Sequence, residues 1–161
     1  INTAKKFNID LSLIKTVVKS NDKRSTLLLK RVSYMLKNKF KKKNITFLGV
    51  TFKANTDDMR DSSSTKMIPF LAKKGAIINY YDPTGEKNEF KNFKNVFFSK
   101  DIKSSLKNAD LVIIHTEWND FKSLNFKTLI KKKNFIIYDM RNIYSKDKMK
   151  KNGIKYFGIG R

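Results

Sequence analysis

One stretch of the chain, Gly49-Val-Thr-Phe-Lys-Ala-Asn-Thr-Asp-Asp-Met-Arg-Asp-Ser-Ser-Ser64, concentrates side chains that can do chemistry. Lys53 and Arg60 are cations suited to a diphosphate, and Phe52 offers a ring face to a base or sugar. Asp57, Asp58 and Asp61 can hold the two cations in place through charge-assisted hydrogen bonds. The same pattern also fits a solvated loop with incidental ion pairs. An Asp-rich loop can hold Mg²⁺, but neighbouring Lys53 and Arg60 argue against a metal. A dinucleotide-binding turn would carry Gly-x-Gly-x-x-Gly here, so that backbone approaches the pyrophosphate. Only Gly49 is present, so side chains would have to meet the phosphates.

Two further groups follow along the chain. Asp82 stands where an acidic residue of an NAD-binding domain would grip a ribose. Without the glycine fingerprint it reads as a decoy that forms a turn with Pro83. Thr116-Glu-Trp118 and Asp139-Met-Arg-Asn142 come next, with Arg141 placed to reach an anionic ligand. Trp118 reads as packing first and as a stacking surface second. His115, the one histidine of the sequence, has no candidate nucleophile or metal partner and reads as structural.

These loops need a scaffold. Residues 1 to about 39 read as helix, with Leu11, Leu13, Ile14, Val17 and Val18 at helical spacing and a second apolar set from Leu27 to Leu36. One long helix or two helices broken near Asn21 both fit. The basic run Lys37 to Lys43 reads as a solvated linker. Short apolar strands follow at 45–50, 76–81, 96–98, 110–115, 135–138 and 154–157, alternating with short helices. The serines at 62–64, Asp101 and Ser145 are candidate N-caps, and Gly75 and Gly153 are candidate stops. Continuous apolar strands imply a sheet covered on both faces. The fold class is therefore α/β, a doubly wound, mostly parallel Rossmann-like sheet preceded by a helical segment. Ligands of such sheets bind beyond the C-terminal strand ends, where all three loops fall.

Composition narrows the classes. The 161 residues are 40% hydrophobic and contain no cysteine, which excludes a disulfide framework and a thiolate metal site. No apolar run approaches the ~18 residues of a membrane span, and residues 1–7 lack the apolar core of a secretory signal. A cytoplasmic location is the default, and the initial Ile suggests a chain cut from something longer. The net charge of +22 invites a nucleic-acid reading. Most of the cations are Lys, however, and the aromatics fall inside apolar strands, which favours compositional drift over base readout.

The ordered set Gly49 to Ser62, Tyr81-Asp-Pro83, Ala109-Asp110, Thr116-Glu-Trp118 and Asp139-Met-Arg-Asn142 resembles the C-terminal half of the UDP-glucose/GDP-mannose dehydrogenase family. Asn-Thr-Asp-Asp-Met-Arg and Thr-Glu-Trp are most similar to the members that act on UDP-glucose. Tyr156-Phe-Gly-Ile-Gly-Arg161 is similar to their usual ending. Residues 1–40 look like the end of the family's central helical domain, which forms the dimer core, and 44–161 like its UDP-sugar-binding domain. The resemblance implies oxidation of the sugar C6 alcohol of UDP-glucose to the carboxylate of UDP-glucuronate, with reduction of two NAD. It implies that Phe52, Lys53 and Arg141 contact the UDP-sugar and that Arg60 reaches NAD bound mainly on an N-terminal domain. It also implies a homodimer through the helical segment. Met140 departs from the family, which commonly has Gly before that Arg. Alcohol-to-acid oxidation commonly passes through a thioester, and this chain has no cysteine. The resemblance places the nucleophilic Cys and the NAD domain N-terminal to Ile1, so no catalytic residue is assigned here and the chain alone is expected to be inactive. Two alternatives stay open. One is the same part of a GDP-mannose or UDP-N-acetylmannosamine dehydrogenase. The other is a stand-alone, non-enzymatic nucleotide- or RNA-binding module.

Overall fold

A computed structural model of the chain describes residues 12–160. The expected helical start at residues 1–11 and the final Arg161 lie outside the described residues. Helix α1 (Ser12–Met35) runs unbroken through Asn21, so the break expected as one alternative near Asn21 is absent from the described residues. No Gly or Pro interrupts it, and its end is set by Lys37 and Asn38, both with positive φ.

Six strands follow: β1 (Asn44–Leu48), β2 (Ile77–Tyr81), β3 (Val96–Phe98), β4 (Leu111–Ile114), β5 (Ile136–Asp139) and β6 (Lys155–Gly158). Between them lie α2 (Ser64–Lys73), α3 (Ile102–Leu106), α4 (Phe126–Leu129) and α5 (Lys146–Lys151). The β2–β3 and β4–α4 connections carry short 3₁₀ turns at Asn88–Phe90 and Asn119–Phe121. Every strand pair is parallel, in the order β3-β2-β1-β4-β5-β6. This is the doubly wound order with its topological switch between β1 and β4.

Alternate strand residues feed opposite cores, as the two-residue period of a strand requires. Phe47, Ile113 and Tyr138 join Leu28, Val32 and Met35 of α1 and Met67, Ile68 and Leu71 of α2 on one face. Leu48, Val112, Ile114 and Ile137 join Leu106, Phe121, Phe126 and Met149 on the other. Asp101 and Ser145 cap α3 and α5 through their side chains, each accepting from the amide three residues on. The expected serine cap of α2 is different. Ser63 occupies the cap position without a side-chain cap bond, and the neighbouring serines bond elsewhere.

Candidate functional site

At the switch point, β1 and β4 end side by side and their loops diverge. Gly49 follows β1 with φ +74, and a Cβ there would sit 2.5 Å from the Cβ of Thr116. Glycine is therefore required twice, by its left-handed backbone and by the close approach of the β4 loop. Beyond it the chain forms a loop closed at its base. The hydroxyls of Ser62 and Ser64 both donate to the Val50 carbonyl, at 2.6 and 2.5 Å. That is what the serine cluster does in place of capping.

Asp82 braces the start of the loop. Its carboxylate is buried and accepts from the Val50 amide at 2.8 Å. The other oxygen accepts from the amide and hydroxyl of Thr84, at 3.0 and 2.6 Å, and lies 4.0 Å from the buried Lys87 ammonium. The turn role expected for it is present. Its second bond, to the Val50 amide 32 residues away in sequence, is a tertiary contact that no local pattern announces. With both oxygens engaged, Asp82 has no free acceptor for a ribose. The residues present therefore do not fit the dinucleotide cradle of an NAD-binding turn: the glycines are missing and the acid is occupied.

The four residues singled out for ligand contact lie around this loop. Phe52 is 49% exposed and its amide donates to the Asp58 carbonyl at 2.9 Å. Arg60 projects into solvent and forms a two-pronged pair with Asp58, Nε to Oδ1 at 3.0 Å and Nη2 to Oδ2 at 2.8 Å. The Arg60 guanidinium, followed by the Arg60 amide, holds the Asp58 carboxyl down at about 2. Of the three aspartates expected to orient cations, Asp58 does so directly, and Asp61 adds a weaker attraction to Arg60. Lys53 is exposed and adds only a longer-range attraction to Asp58.

Arg141 reaches in from β5. Its Nε donates to the His115 carbonyl at 2.7 Å and its Nη2 to the Phe52 carbonyl at 2.9 Å. Glu117 Oε2 lies 2.9 Å from the same Nε. That contact is an ion pair without hydrogen-bond alignment, because the N–H is aimed at the His115 carbonyl. One guanidinium thus ties together the loops after β1, β4 and β5. Buried Asp139 anchors its backbone, accepting from the Arg141 amide at 3.0 Å and from the Tyr144 amide at 3.0 Å. Met140, the departure next to Arg141, buries its side chain in the first core while Arg141 turns to the crevice.

His115 is buried, between Ser63 at 2.8 Å on Nε2 and Thr116 at 3.1 Å on Nδ1. Burial, then the charges of Arg141 and Arg24, push its value down to about 3, so the ring is neutral. Trp118 packs against the second core, and its indole N–H is buried with no acceptor among the described residues. Among the described residues no three His, Asp or Glu side chains gather to hold a metal.

Fold and site together define a Rossmann-like domain with side-chain cations around its switch point and no glycine turn there. The sequence profile described as the UDP-glucose/GDP-mannose dehydrogenase family, UDP binding domain, matches residues 46–146. The chain belongs to that family. It is 35% identical to a UDP-glucose 6-dehydrogenase of Rickettsia felis over 99% of this chain and 36% of that protein. It is 36% identical to one of Rhizobium meliloti over all of this chain and 37% of that protein. The chain thus spans just over a third of the length of the curated relatives it matches. Among solved structures, it superposes on an NDP-N-acetyl-D-galactosaminuronic acid dehydrogenase of Methanosarcina mazei with TM-score 0.76 and 25% identity, over 89% of this chain and 30% of that one. A UDP-D-ManNAc dehydrogenase of Pyrococcus horikoshii shares the fold at TM-score 0.77 and 24% identity, over 98% of this chain and 36% of that one.

Proposed function

We propose that these residues are the nucleotide-sugar-holding C-terminal portion of an NAD-dependent UDP-glucose 6-dehydrogenase, which converts UDP-glucose to UDP-glucuronate with two NAD. The observation that carries the reading is the Arg141 guanidinium bridging the Phe52 and His115 carbonyls at the switch point. It sets a partly exposed cation beside exposed Phe52 and Lys53, where a parallel sheet takes its ligand. Phe52, Lys53 and Arg141 contact the UDP-sugar in this reading. Arg60, held outward by Asp58, reaches towards NAD on a separate N-terminal domain. Residues 1–40 end the central helical domain and contribute to a homodimer, and 44–161 form the UDP-sugar domain. The thioester chemistry belongs to a cysteine outside these 161 residues, and the setting is the cytoplasm. Among the described residues no helix is long and apolar enough to cross a membrane.

The curated relatives at 35–36% identity over nearly all of this chain bear the UDP-glucose name, which supports UDP-glucose as the substrate to test first. Calorimetric titration of the chain with UDP, UDP-glucose and GDP tests this. UDP and UDP-glucose bind and GDP does not, and R141A lowers UDP affinity by about tenfold or more, as loss of a charge-assisted contact to phosphate does. A preference for GDP, or NADH formation from UDP-glucose by this cysteine-free chain, overturns the reading. RNA binding that excludes UDP supports the non-enzymatic alternative instead.

A further inference from the structure

The side chains of Ser63, His115 and Thr116 join the two ends of the Gly49–Ser64 loop through the interior. The Thr116 hydroxyl donates to the Thr51 carbonyl at 2.8 Å, so its oxygen is left to accept from His115 Nδ1 at 3.1 Å. That assigns the Nδ1–H tautomer. His115 Nε2 is then an acceptor, and the Ser63 hydroxyl at 2.8 Å donates to it. The chain of bonds runs from Ser63, at the start of α2, through His115 and Thr116 just beyond β4, to Thr51 at the start of the loop. The carbonyl of the same His115 takes the Arg141 Nε–H at 2.7 Å. Phe52, Lys53, Asp58 and Arg60 all lie between the two pinned ends.

We propose that His115 is a positioning residue for nucleotide-sugar binding, holding the Phe52–Arg60 loop to the β4 end through Ser63 and Thr116 while its carbonyl aims Arg141. The inference rests on the reading of this crevice as a nucleotide site. The ring touches no ligand in this role. It acts by keeping a long polar loop in one arrangement before the ligand arrives, which spares the ordering cost on binding. Its neutrality suits the task, since burial and the charges of Arg141 and Arg24 both disfavour a protonated ring that would turn Nε2 from acceptor to donor.

Three variants of the 161-residue chain separate this role from simple packing. S63A removes the donor to Nε2. H115N keeps a group near Thr116 and loses Ser63, whereas H115Q extends an amide to the Nε2 position and keeps Ser63. UDP titration and hydrogen–deuterium exchange are compared at a temperature where every variant is folded. S63A and H115N bind UDP about five- to twentyfold more weakly, the effect of one or two lost interior hydrogen bonds. They also exchange faster across residues 52–61, and H115Q lies nearer the parent on both measures. Parental affinity and parental exchange in S63A and H115N, with only a lower melting temperature, overturn the proposal. If the parent chain itself fails to bind UDP, the nucleotide reading falls, and the exchange data alone decide whether His115 orders the loop.

Discussion

A buried neutral imidazole has a consequence for acid stability. The folded value of His115 is about 3 against an ordinary 6.5, so between these limits the unfolded chain binds the extra proton. Stability is complete above about pH 6.5 and falls as the pH drops towards 3. By pH 5 the loss is about 2 kcal/mol, from about 1.4 kcal/mol per pH unit of difference. Urea denaturation of the parent and H115Q at pH 7.5 and pH 5 isolates this term, because the glutamine does not titrate. The parent loses about 2 kcal/mol more than the variant over that interval, and equal losses would show that the ring is hydrated. Asp58 is different, since its lowered value comes from an exposed pairing with Arg60. Exposed pairs contribute little to stability, so its service is to direct Arg60.

At the scale of elements, α1 shows two behaviours along one helix. Leu28, Val32 and Met35 are buried against the sheet, and Arg31 donates to the Gly158 carbonyl at 3.3 Å. Towards the N-terminus Leu13, Ile14, Val17 and Val18 are all exposed, Leu13 at 79%. The first set is core, and L28A costs about 2–4 kcal/mol in urea denaturation, as large-to-small core changes do. The second set matches the proposed homodimer. Replacing Leu13 and Val17 together by Ser leaves the urea midpoint at low concentration unchanged and weakens self-association in sedimentation equilibrium. A parent chain that stays monomeric at high concentration would show that the exposed stripe does not support a dimer by itself. The α2 start makes a related point. Helical pattern alone suggests a cap at the serines, but a carbonyl left unpaired at Val50 by the end of β1 draws Ser62 and Ser64 instead.

For the molecule as a whole, the +22 net charge is a mutual repulsion spread over the surface. It opposes compaction, and salt screens it. Raising NaCl from about 20 to about 300 mM stabilises the fold by about 1 kcal/mol, or about 2–4 °C in thermal melts of a chain this size. An unchanged or lower melting temperature would mean that local ion pairs, such as Lys43 and Lys132 on Asp110 at 3.4 and 2.8 Å, outweigh the general repulsion. The same salt series weakens any RNA association steeply, which separates non-specific attraction from binding at the proposed nucleotide site.

Much of this architecture was legible in the residues taken in order. Apolar runs at 45–50, 110–115 and 135–138, alternating with helical stretches, read as strands of a covered parallel sheet, because burial on both faces leaves no polar face. Their alternation with short helices implies the doubly wound order, and parallel strands place Phe52, Lys53, Arg60 and Arg141 at one sheet edge. The missing glycine fingerprint already pointed to side-chain cations. Three-dimensional packing decided the rest, since it depends on partners far apart in sequence. Asp82 reads as a turn acid until Val50 is found above it. His115 reads as a passive core residue until Ser63, Thr116 and Arg141 converge on it. A lone histidine and a serine 52 positions away carry no local signal of pairing. Only closure of β1 against β4, permitted by the bare Gly49, brings them within hydrogen-bond reach.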